Sequence, residues 1–478
     1  MTTHQFHPDI LREYDIRGTI GDNLTEADAY HLGRAFGTQV VRDGGNKVSV
    51  GYDGRESSPP LTKELTRGLA ESGVNVELVG LGPSPMLYFA VKDHLTDGGI
   101  MVTGSHNPGD MNGFKMLRQS GPIYGEAIKA LAALSEAGDY ESGEGSIREI
   151  DIKDTYVERL LRDMVIDKPI KIAWDAGHGA AGAVLHQLVA KLPGDHILLY
   201  DTVDGSFPAH HPDPTVDENL KDLQRVVTEQ GCDLGIAFDG DGDRIGVVDD
   251  RGRIIRCDML LALYARFVLE DLPGSAIVAD VKCSNALFEE IKKRGGRPIM
   301  WKTGHSLIKS KMAELNAPLA GELSGHIFFA DKYYGFDDAL YCAVRLIHHW
   351  LQSSSSEKDK ASEDEPASSN AGKFSELVED LPRPVNTPEL RLPCPEDRKF
   401  KLVERIKSYL HEHMPDKDRI NETDGVRVTL DSGWWLIRAS NTQPAIVARA
   451  EANNKEALEE VRSHMDMVLS IAAEQNGG

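Results

Sequence analysis

The fold prediction begins with VSVGYDGRESSPPLTKELTRGLAESGVNVELVGLG, residues 48–82. The stretch has the pattern of an apolar strand, a polar loop, an amphipathic helix and a second strand. Two later segments repeat this order, IKIAWDAGHGAAGAVLHQLVAKLPGDHILLYD at 170–201 and AIVADVKCSNALFEEIKKRGGRPIMWKTG at 276–304. Strands that alternate with helices are typical of βαβ units, whose right-handed crossovers favour parallel strand pairs. The repeat therefore predicts three related α/β domains.

The last part of the chain has a different pattern. Residues 425–452, GVRVTLDSGWWLIRASNTQPAIVARAEA, predict strands joined by a turn and a loop, and residues 454–474 predict a helix, which together indicate a small α+β domain. Before it, SSSSEKDKASEDEPASSNAG at 353–372 has no aromatic or branched aliphatic residue, so we predict a flexible insertion that cannot bury a core. The predicted domains are 1–150, 151–254, 255–352 and 373–478.

The composition limits the class of partner. The 478 residues are 40% hydrophobic and 27% charged, which is typical of a globular protein. They carry 53 Lys and Arg against 76 Asp and Glu, a net charge of -23, whereas a generic nucleic-acid binder is basic. A phosphorylated small substrate stays possible, because a local cluster of Arg and Lys can bind it. We expect no nucleic-acid partner and no obligatory protein partner.

The cysteines and the apolar runs indicate the cellular compartment of the protein. The five cysteines are far apart and form no C-x-x-C motif, which argues against a disulfide scaffold or a structural zinc site. The first residues lack the apolar core of a secretory signal, and no apolar run approaches the roughly 20 residues of a membrane span. We expect a cytoplasmic protein without a membrane partner.

The acidic stretch LGIAFDGDGDRIGVVDDRGRII, residues 234–255, predicts a metal site. Asp239, Asp241 and Asp243 alternate with glycines, which allow a tight turn in which the carboxylates converge. Converging carboxylates need a cation, and oxygen ligands select Mg²⁺ or Ca²⁺. Arg244 follows at once and could contact the same phosphate as the metal.

Two other interpretations of this stretch are weaker. An EF-hand loop needs glycine at its sixth position and glutamate at its twelfth, where this chain has Arg244 and Asp250. A simple Asp-Gly hairpin turn explains one Asp-Gly pair, but not three acids followed by an arginine.

A second polar loop, MVTGSHNPGD at 101–110, ends another apolar run and presents Ser105. A hydrolase nucleophile elbow requires G-x-S-x-G, and Thr103 and Asn107 stand where the glycines would be. A structural turn is credible, because Gly, Asn and Pro are turn residues. A serine that carries phosphate is the third interpretation, and it would need backbone N–H groups and a nearby cation.

Four motifs together resemble the α-D-phosphohexomutase family. They are TGSHNP at 103–108, DGDGDR at 239–244, GELSGH at 321–326 and RASNTQP at 438–444, and their order and spacing match along nearly the whole chain. The context VKCSNALF…WKTGHSLIK resembles the bacterial phosphomannomutase/phosphoglucomutase branch. The resemblance implies three related α/β domains with mixed sheets and a C-terminal α+β domain around a central cleft. It also implies interconversion of hexose 6-phosphate and hexose 1-phosphate, of mannose and of glucose.

The resemblance also implies roles for individual residues. Ser105 is the phosphoserine, and its oxygen completes a Mg²⁺ site with Asp239, Asp241 and Asp243. A hexose 1,6-bisphosphate is the intermediate and the activator. Five further residues are implied near the chemistry: Lys115 and His305 as candidate general acids or bases, His106 as support for the serine loop, and the cations Arg17 and Arg244.

The substrate is implied to contact residues of several loops. Glu322 and Ser324 bind sugar hydroxyls, and Arg438 grips the phosphate that is not transferred. The other implied substrate-binding residues are Tyr14, Lys282, His326, Ser440, Asn441, Thr442 and Arg449.

A competing prediction comes from GHGAAG at 177–182, a G-x-G-x-x-G motif between a predicted strand and a predicted helix. Asp201 ends the next strand 19 residues after Gly182, as in a dinucleotide-binding fingerprint. An NAD-dependent oxidoreductase is therefore the alternative, although it leaves the other four motifs unexplained. A non-catalytic sensor of sugar phosphates is a third class, and the intact Ser105 and aspartates argue against it.

Overall fold

A computed structural model of the chain describes residues 3–356, 372–441 and 443–474, with the backbone alone at 354–356 and 474. The predicted insertion at 353–372 lies for the most part outside the described residues, and so does Thr442. Within the described part of the chain, no helix is both long enough and apolar enough to cross a membrane.

The first domain is built on a mixed sheet. Its strands are β1 (Ile16–Thr19), β2 (Lys47–Tyr52), β3 (Asn75–Leu81), β4 (Gly98–Val102), β5 (Met111–Arg118), β6 (Gly121–Pro122) and β7 (Ile147–Glu149). Its helices are α1 (Glu26–Arg42), α2 (Ser58–Glu71), α3 (Ser84–Asp93) and α4 (Glu126–Ala137). The strand order is β1-β5-β4-β2-β3-β7, with β6 paired to β5. β2 is parallel to β3 and β4, and β5 is antiparallel to β1 and β4.

The opening stretch of the sequence forms the predicted strand–helix–strand unit of this domain. Helix α2 begins at a Ser-Pro-Pro sequence, where proline is tolerated because the first N–H groups of a helix have no partner within it. Leu61, Leu65 and Leu69 follow at four-residue spacing, and they are buried in one cluster with Val48 and Val50 of β2. The amphipathic pattern thus fixes which face of α2 covers the sheet.

The second domain has a mixed sheet of order β12-β11-β10-β8-β9. Its elements are α5 (Lys153–Leu161), β8 (Ile170–Asp175), α6 (Gly182–Val189), β9 (Gly194–Leu199), α7 (Lys221–Gln230), β10 (Leu234–Phe238), β11 (Ile245–Asp249) and β12 (Ile254–Ile255). β10 is parallel to β8 and antiparallel to β11, so the acidic turn 239–244 joins two buried antiparallel strands.

The third domain has the sheet order β14-β13-β15-β16. Its elements are α8 (Cys257–Asp271), β13 (Ala276–Asp280), α9 (Asn285–Lys293), β14 (Arg297–Trp301), α10 (His305–Leu315), β15 (Leu319–Gly321), β16 (Ile327–Phe329) and α11 (Ala339–Ser356). β8 with β9 and β13 with β14 are parallel pairs around a helix, as β2 with β3 is in the first domain. The predicted repeat is therefore confirmed.

The C-terminal domain is an antiparallel sheet with helices. Its elements are β17 (Val385–Asn386), β18 (Leu390–Pro393), α13 (Glu396–His413), β19 (Ile420–Asn421), β20 (Val426–Thr429), β21 (Gly433–Ala439), β22 (Ala445–Ala452) and α14 (Lys455–Glu474), and α12 (Phe374–Leu377) precedes them. The order is β17-β22-β21-β20-β19, with β18 also paired to β22. The predicted α+β domain is confirmed, and RASNTQP connects β21 to β22.

One hydrophobic cluster runs through the second and third domains and takes in α3 of the first. Phe374, Val378 and Leu381 belong to this cluster, together with Trp350 of α11. The start of the range predicted for the fourth domain therefore packs on the third. The predicted boundary at 373 stays a prediction.

Candidate active site

The acidic turn between β10 and β11 brings its carboxylates together. Asp239, Asp241 and Asp243 are fully buried, and one carboxylate oxygen from each lies within 4.8 Å of the others. Gly242 takes a φ of 73°, which favours glycine and allows the turn to close. The alternation of Asp and Gly therefore produces the convergence that the sequence predicted.

The neighbours of each ionisable group in this cluster shift its pKa. Burial and repulsion by Asp243 and Asp241 raise the pKa of Asp239 well above its usual range. The Lys115 ammonium donates to Asp241 Oδ2 and to Asp243 Oδ2, each at 2.6 Å. Burial opposes the charge of Lys115, but these carboxylates outweigh it and raise the pKa of its ammonium. Lys115 thus lies inside the carboxylate cluster as its counter-charge.

The cluster fits a hard divalent cation. Asp241 Oδ1 is buried and has no hydrogen-bond partner among the described residues, and the buried Asp243 Oδ1 has an ion pair with His326 Nε2 at 3.2 Å. Buried oxygens without a donor are costly, and a cation relieves that cost. A set of carboxylate oxygens alone suits Mg²⁺ or Ca²⁺.

Ser105 lies against the acidic turn, although 134 positions separate it from Asp239. Its hydroxyl donates to Asp239 Oδ2 at 2.9 Å and lies 3.1 Å from His106 Nδ1. The strand β4 ends at Val102, and Ser105 takes a left-handed φ of 48° that turns its side chain towards the second domain. Burial, then Arg244 and Arg17, lower the pKa of His106 well below its usual range, so its ring is neutral beside the serine.

The cations Arg17 and Arg244 approach the serine loop from two domains. Arg17 forms an ion pair with Asp15 at 2.5 Å. With its amide oxygen turned to Arg17, Asn107 accepts from Nη1 at 2.9 Å. Arg244 Nε lies 3.3 Å from His326 Nε2 and 4.0 Å from Asp239 Oδ2. Two arginines, Arg17 and Arg244, therefore lie close to the serine loop.

The GELSGH loop follows β15 and reaches the same cluster. His326 lies between Asp243 Oδ1 at 3.2 Å and Glu322 Oε2 at 3.0 Å. Burial disfavours its charge, but Asp243 and Glu322 together outweigh burial and raise the pKa of His326 to about 9. Glu322 Oε1 accepts from the Gly304 N–H at 2.6 Å, and Ser324 Oγ lies 3.1 Å from His326 Nδ1.

His305 is the first residue of α10, and its imidazole stacks on that of His326 with 5.4 Å between ring centroids. Its Nδ1 lies 3.6 Å from Asp337 Oδ2, and neither atom has a hydrogen-bond partner in the described part of the chain. Burial, then Lys309 and His326, lower the pKa of His305 well below its usual range. The His305 imidazole is therefore neutral.

The C-terminal domain contributes the RASNTQP loop. Arg438 is 5% exposed, and its Nε donates to Asp424 Oδ2 at 2.9 Å. Asn441 donates to the Tyr14 hydroxyl at 2.6 Å, and Ser440 Oγ accepts from the Gln443 N–H at 3.1 Å. Thr442 lies outside the described residues.

Lys282 and Arg449 meet at the border of the third and fourth domains. The Lys282 ammonium lies 3.3 Å from Glu389 Oε2. Burial lowers the pKa of Lys282, but the carboxylates around it, Glu389 and Asp280 foremost, outweigh burial and raise it. Arg449 Nη1 donates to the backbone carbonyl of Lys282 at 3.0 Å. Arg449 thus contacts the backbone of the Lys282 loop, and its contact with the substrate stays a prediction.

The chain matches four family models in order. They are domains I, II and III of phosphoglucomutase/phosphomannomutase, described as alpha/beta/alpha, at residues 8–141, 154–252 and 256–366, and the C-terminal domain of the same enzymes at 389–467. The chain belongs to the phosphoglucomutase/phosphomannomutase family. The family and the fold class predicted from the sequence are confirmed.

Relatives place the chain in the bacterial branch of this family. It is 44% identical over 454 residues to phosphomannomutase/phosphoglucomutase of Pseudomonas aeruginosa, which covers 95% of this chain and 94% of the relative. It is 40% identical to phosphoglucomutase of Neisseria gonorrhoeae, with 96% of each chain covered. The crystal structure of a phosphoglucomutase/phosphomannomutase family protein from Burkholderia thailandensis matches it with a TM-score of 0.89, 40% identity and 98% of each chain covered.

The GHGAAG turn has a structural explanation in this phosphoglucomutase/phosphomannomutase fold. A Cβ on Gly179 would lie 2.9 Å from Gly240 O and 3.0 Å from Asp239 O, and Ala180 N–H donates to Gly240 O at 2.9 Å. The glycines let this turn pack directly under the acidic turn. The comparisons give no support to the oxidoreductase alternative.

Sequence reasoning missed several residues that the family fold brings to the site. The Ser84 hydroxyl at the start of α3 donates to Asp241 Oδ2, and Lys309 donates to Asp337 Oδ1 at 3.0 Å. Arg55 lies directly under the Ser105 loop. A faint signal existed for Asp337, which stands in GFDDAL, an acidic pair inside an apolar region. Ser84 and Arg55 carry no such signal.

Proposed function

We propose that this chain is a phosphohexomutase that interconverts hexose 6-phosphate and hexose 1-phosphate, with mannose and glucose as the sugars. The observation that supports it most is the hydrogen bond from Ser105 Oγ to Asp239 Oδ2, which joins the serine loop to the carboxylate cluster. A serine beside a cation site is the arrangement that a phosphoserine requires. The names of the relatives agree with this activity.

In the proposed cycle, the phosphoryl group on Ser105 is transferred to a free hydroxyl of the bound sugar phosphate. The bond between phosphorus and Ser105 Oγ breaks, and a bond to the sugar oxygen forms. The hydroxyl proton passes to a nearby base, for which the neutral His305 is the candidate, and the leaving Ser105 Oγ takes a proton from an acid, for which the Lys115 ammonium is the candidate. The hexose 1,6-bisphosphate then reorients, and the opposite step returns the other phosphoryl group to Ser105. Positioning and charge neutralisation supply most of the rate in such transfers.

Asp239, Asp241 and Asp243, with an oxygen of the phosphoserine, would hold Mg²⁺, which neutralises charge on the transferred phosphate when bound. Arg17 and Arg244 add positive charge at the same place, and His106 supports the loop.

The substrate is held at its two ends in this proposal. Glu322 and Ser324 bind the sugar hydroxyls, with His326 and His305 beside them. The remote phosphate is bound by the RASNTQP loop, and Tyr14, Lys282 and Arg449 shape the walls. We place the enzyme in the cytoplasm, in agreement with its five free thiols.

The experiment that tests the function compares glucose 1-phosphate with mannose 1-phosphate, with Mg²⁺ and a hexose 1,6-bisphosphate present. We expect turnover of both by the wild type and loss of nearly all turnover in Ser105→Ala. Ser49→Ala is the matched control, because Ser49 is also buried on the first domain but bonds only to Thr96 among the described side chains. Full activity of Ser105→Ala would reject the phosphoserine mechanism, and tight NAD(P)H binding would favour the oxidoreductase.

A further inference from the structure

Arg55 is a buried cation beneath the serine loop. It lies between β2 and α2, and its side chain is 0% exposed. Its Nε pairs with Asp53 Oδ2 at 3.2 Å. A fully buried arginine is expensive unless each of its N–H groups finds an acceptor, so the partners of Arg55 show what it is there to hold.

Apart from Asp53, the hydrogen-bond partners of Arg55 are backbone carbonyls of the turn that contains Ser105. Arg55 Nη2 donates to Ser105 O at 2.7 Å and to Asn107 O at 2.6 Å. Nη1 donates to Met111 O at 2.9 Å and also to Pro108 O. The guanidinium therefore ties the carbonyl of the reactive serine to the far end of its own loop.

Glycine makes room where this guanidinium approaches the chain. A Cβ on Gly104 would lie 2.4 Å from the Arg55 guanidinium carbon, so a side chain there would displace the guanidinium from its present position. A Cβ on Gly240 would overlap Ser105 O, so the acidic turn lies against the same carbonyl. Gly104 of TGSHNP and Gly240 of DGDGDR thus leave space around the Ser105 carbonyl, to which Arg55, a residue outside both motifs, donates.

Asp53, two residues before Arg55, also binds the loop that contains Ser105. Its Oδ2 accepts from Thr103 Oγ1 at 2.8 Å and from the Gly104 N–H at 3.0 Å. Thr103 Oγ1 in turn accepts from the Ser105 N–H at 2.8 Å. Both backbone polar groups of Ser105 are therefore fixed by a network that starts at Asp53 and Arg55.

The network explains the backbone conformation of Ser105. A left-handed φ of 48° is uncommon and unfavourable for a residue other than glycine, so surrounding contacts must impose it. The carbonyl of Ser105 faces Arg55 while its hydroxyl faces Asp239. Release of the carbonyl would let the backbone relax and would move Oγ away from the acidic turn.

We propose that Arg55 is a positioning residue for phosphoryl transfer, which holds Ser105 in the conformation that aims Oγ at the carboxylate cluster. The inference rests on the proposed function. Lysine cannot replace it, because an ammonium offers its donors from one atom, whereas the planar guanidinium spreads them over both ends of the turn. Arg55 does not contact the substrate, since its side chain is fully buried.

The test compares steady-state kinetics of Arg55→Lys with those of Arg345→Lys. Arg345 is the matched control, because it is 1% exposed, pairs with Asp331, and lies on α11 among Tyr341 and His349. We expect kcat of Arg55→Lys to fall by about 10-fold or more, as for a misplaced reacting group, while KM for the hexose phosphate stays within about twofold. Arg345→Lys should lose thermal stability without loss of kcat.

A second readout separates positioning from folding. We expect guanidinium ion to restore part of the kcat of Arg55→Ala and to leave Arg345→Ala unchanged. If the Arg55 variants do not fold, Thr103→Val tests the same network, because it removes the acceptor of the Ser105 N–H and should also lower kcat with little change in KM.

The outcomes separate this inference from the proposed function. An inactive wild type would reject the proposed function. An active wild type with an unchanged kcat in folded Arg55→Lys, or in Thr103→Val where the Arg55 variants fail to fold, would overturn the inference alone.

Discussion

The side-chain amide of Asn441 donates to the Tyr14 hydroxyl at 2.6 Å, across 427 positions of the chain. The same hydroxyl donates to the Thr303 carbonyl at 2.7 Å. One tyrosine of the first domain therefore contacts the loop that precedes His305 in the third domain and the RASNTQP loop of the fourth. Burial raises the pKa of Tyr14, so the hydroxyl keeps its proton at neutral pH.

Removal of this hydroxyl should weaken substrate binding. Tyr14→Phe loses the bonds to Asn441 and Thr303, which disfavours the arrangement in which the fourth domain meets the first. We expect KM for the hexose phosphate to rise about fivefold, the equivalent of one ordinary hydrogen bond. Tyr124→Phe is the control, because Tyr124 also bridges the first and third domains, 3.2 Å from Ser310 Oγ, but makes no contact with Asn441. An unchanged KM in Tyr14→Phe contradicts the prediction.

The carboxylate cluster should destabilise the protein when no metal is bound. Asp239→Asn removes one of the mutually repelling charges, so we expect the Tm of metal-free protein to rise by about 2 °C and the Mg²⁺-dependent rise in Tm to disappear. Thermal unfolding with EDTA and with Mg²⁺ measures both effects. Asp249→Asn is the contrast, because Asp249 is buried on β11 and pairs with Arg253 at 2.6 Å. Asp249→Asn should have a lower Tm than wild type and retain the Mg²⁺-dependent rise in Tm. A full Mg²⁺-dependent rise in Asp239→Asn would contradict the proposed metal site.

Lys399 should affect binding without affecting the chemical step. Its buried ammonium on α13 donates to Ser440 O at 2.5 Å and to Gln443 O at 3.2 Å. Lys399→Met removes the side-chain donor that fixes these two carbonyls, so we expect KM for the hexose phosphate to rise about 10-fold and kcat to stay within about twofold. Lys407→Met on the same helix removes a pair with Glu404, the one partner of its ammonium among the described residues, and is the control. A fall in kcat of equal size would show that the loop also takes part in catalysis.

Asp338 should make stability depend on pH. Its carboxylate accepts from the Tyr156 hydroxyl at 2.9 Å and from the Tyr333 hydroxyl at 2.8 Å, and burial raises its pKa to about 7. Because the folded pKa lies above the unfolded one, folding takes up a proton, and the stabilisation is lost as pH rises from about 4 to about 7. The Tm of Asp338→Asn relative to wild type should therefore increase over this range and level off above it. If the Tm values of Asp338→Asn and of wild type change in parallel from pH 4 to pH 8, the predicted pH dependence of Asp338 is wrong.

The fold was predictable where residue patterns repeat. The strand–helix–strand segments at 48–82, 170–201 and 276–304 are read from hydrophobic periodicity, and the parallel pairs follow from the crossovers. The approach of Ser105 to Asp239 was predictable only through the motifs together, because no spacing rule links residues 134 positions apart.

The supports behind the loops could not be predicted. Arg55 and Lys399 bind backbone carbonyls, which every residue carries, so no side-chain pattern indicates their partners. Arg449 stands close to RASNTQP in sequence, but on β22 it is paired with Leu436 and reaches the Lys282 carbonyl. GHGAAG resembled a nucleotide site because close backbone packing and phosphate binding both require glycine.

The packing of Phe374, Val378 and Leu381 on the third domain sets the length of the tether to the fourth. Only Pro382, Arg383 and Pro384 lie between Leu381 and the start of β17. Three extended residues reach about 10 Å, so the Arg438 loop is kept at a high effective concentration around the cleft. Because the anchor follows residues 353–372, the length of that segment does not enter the tether.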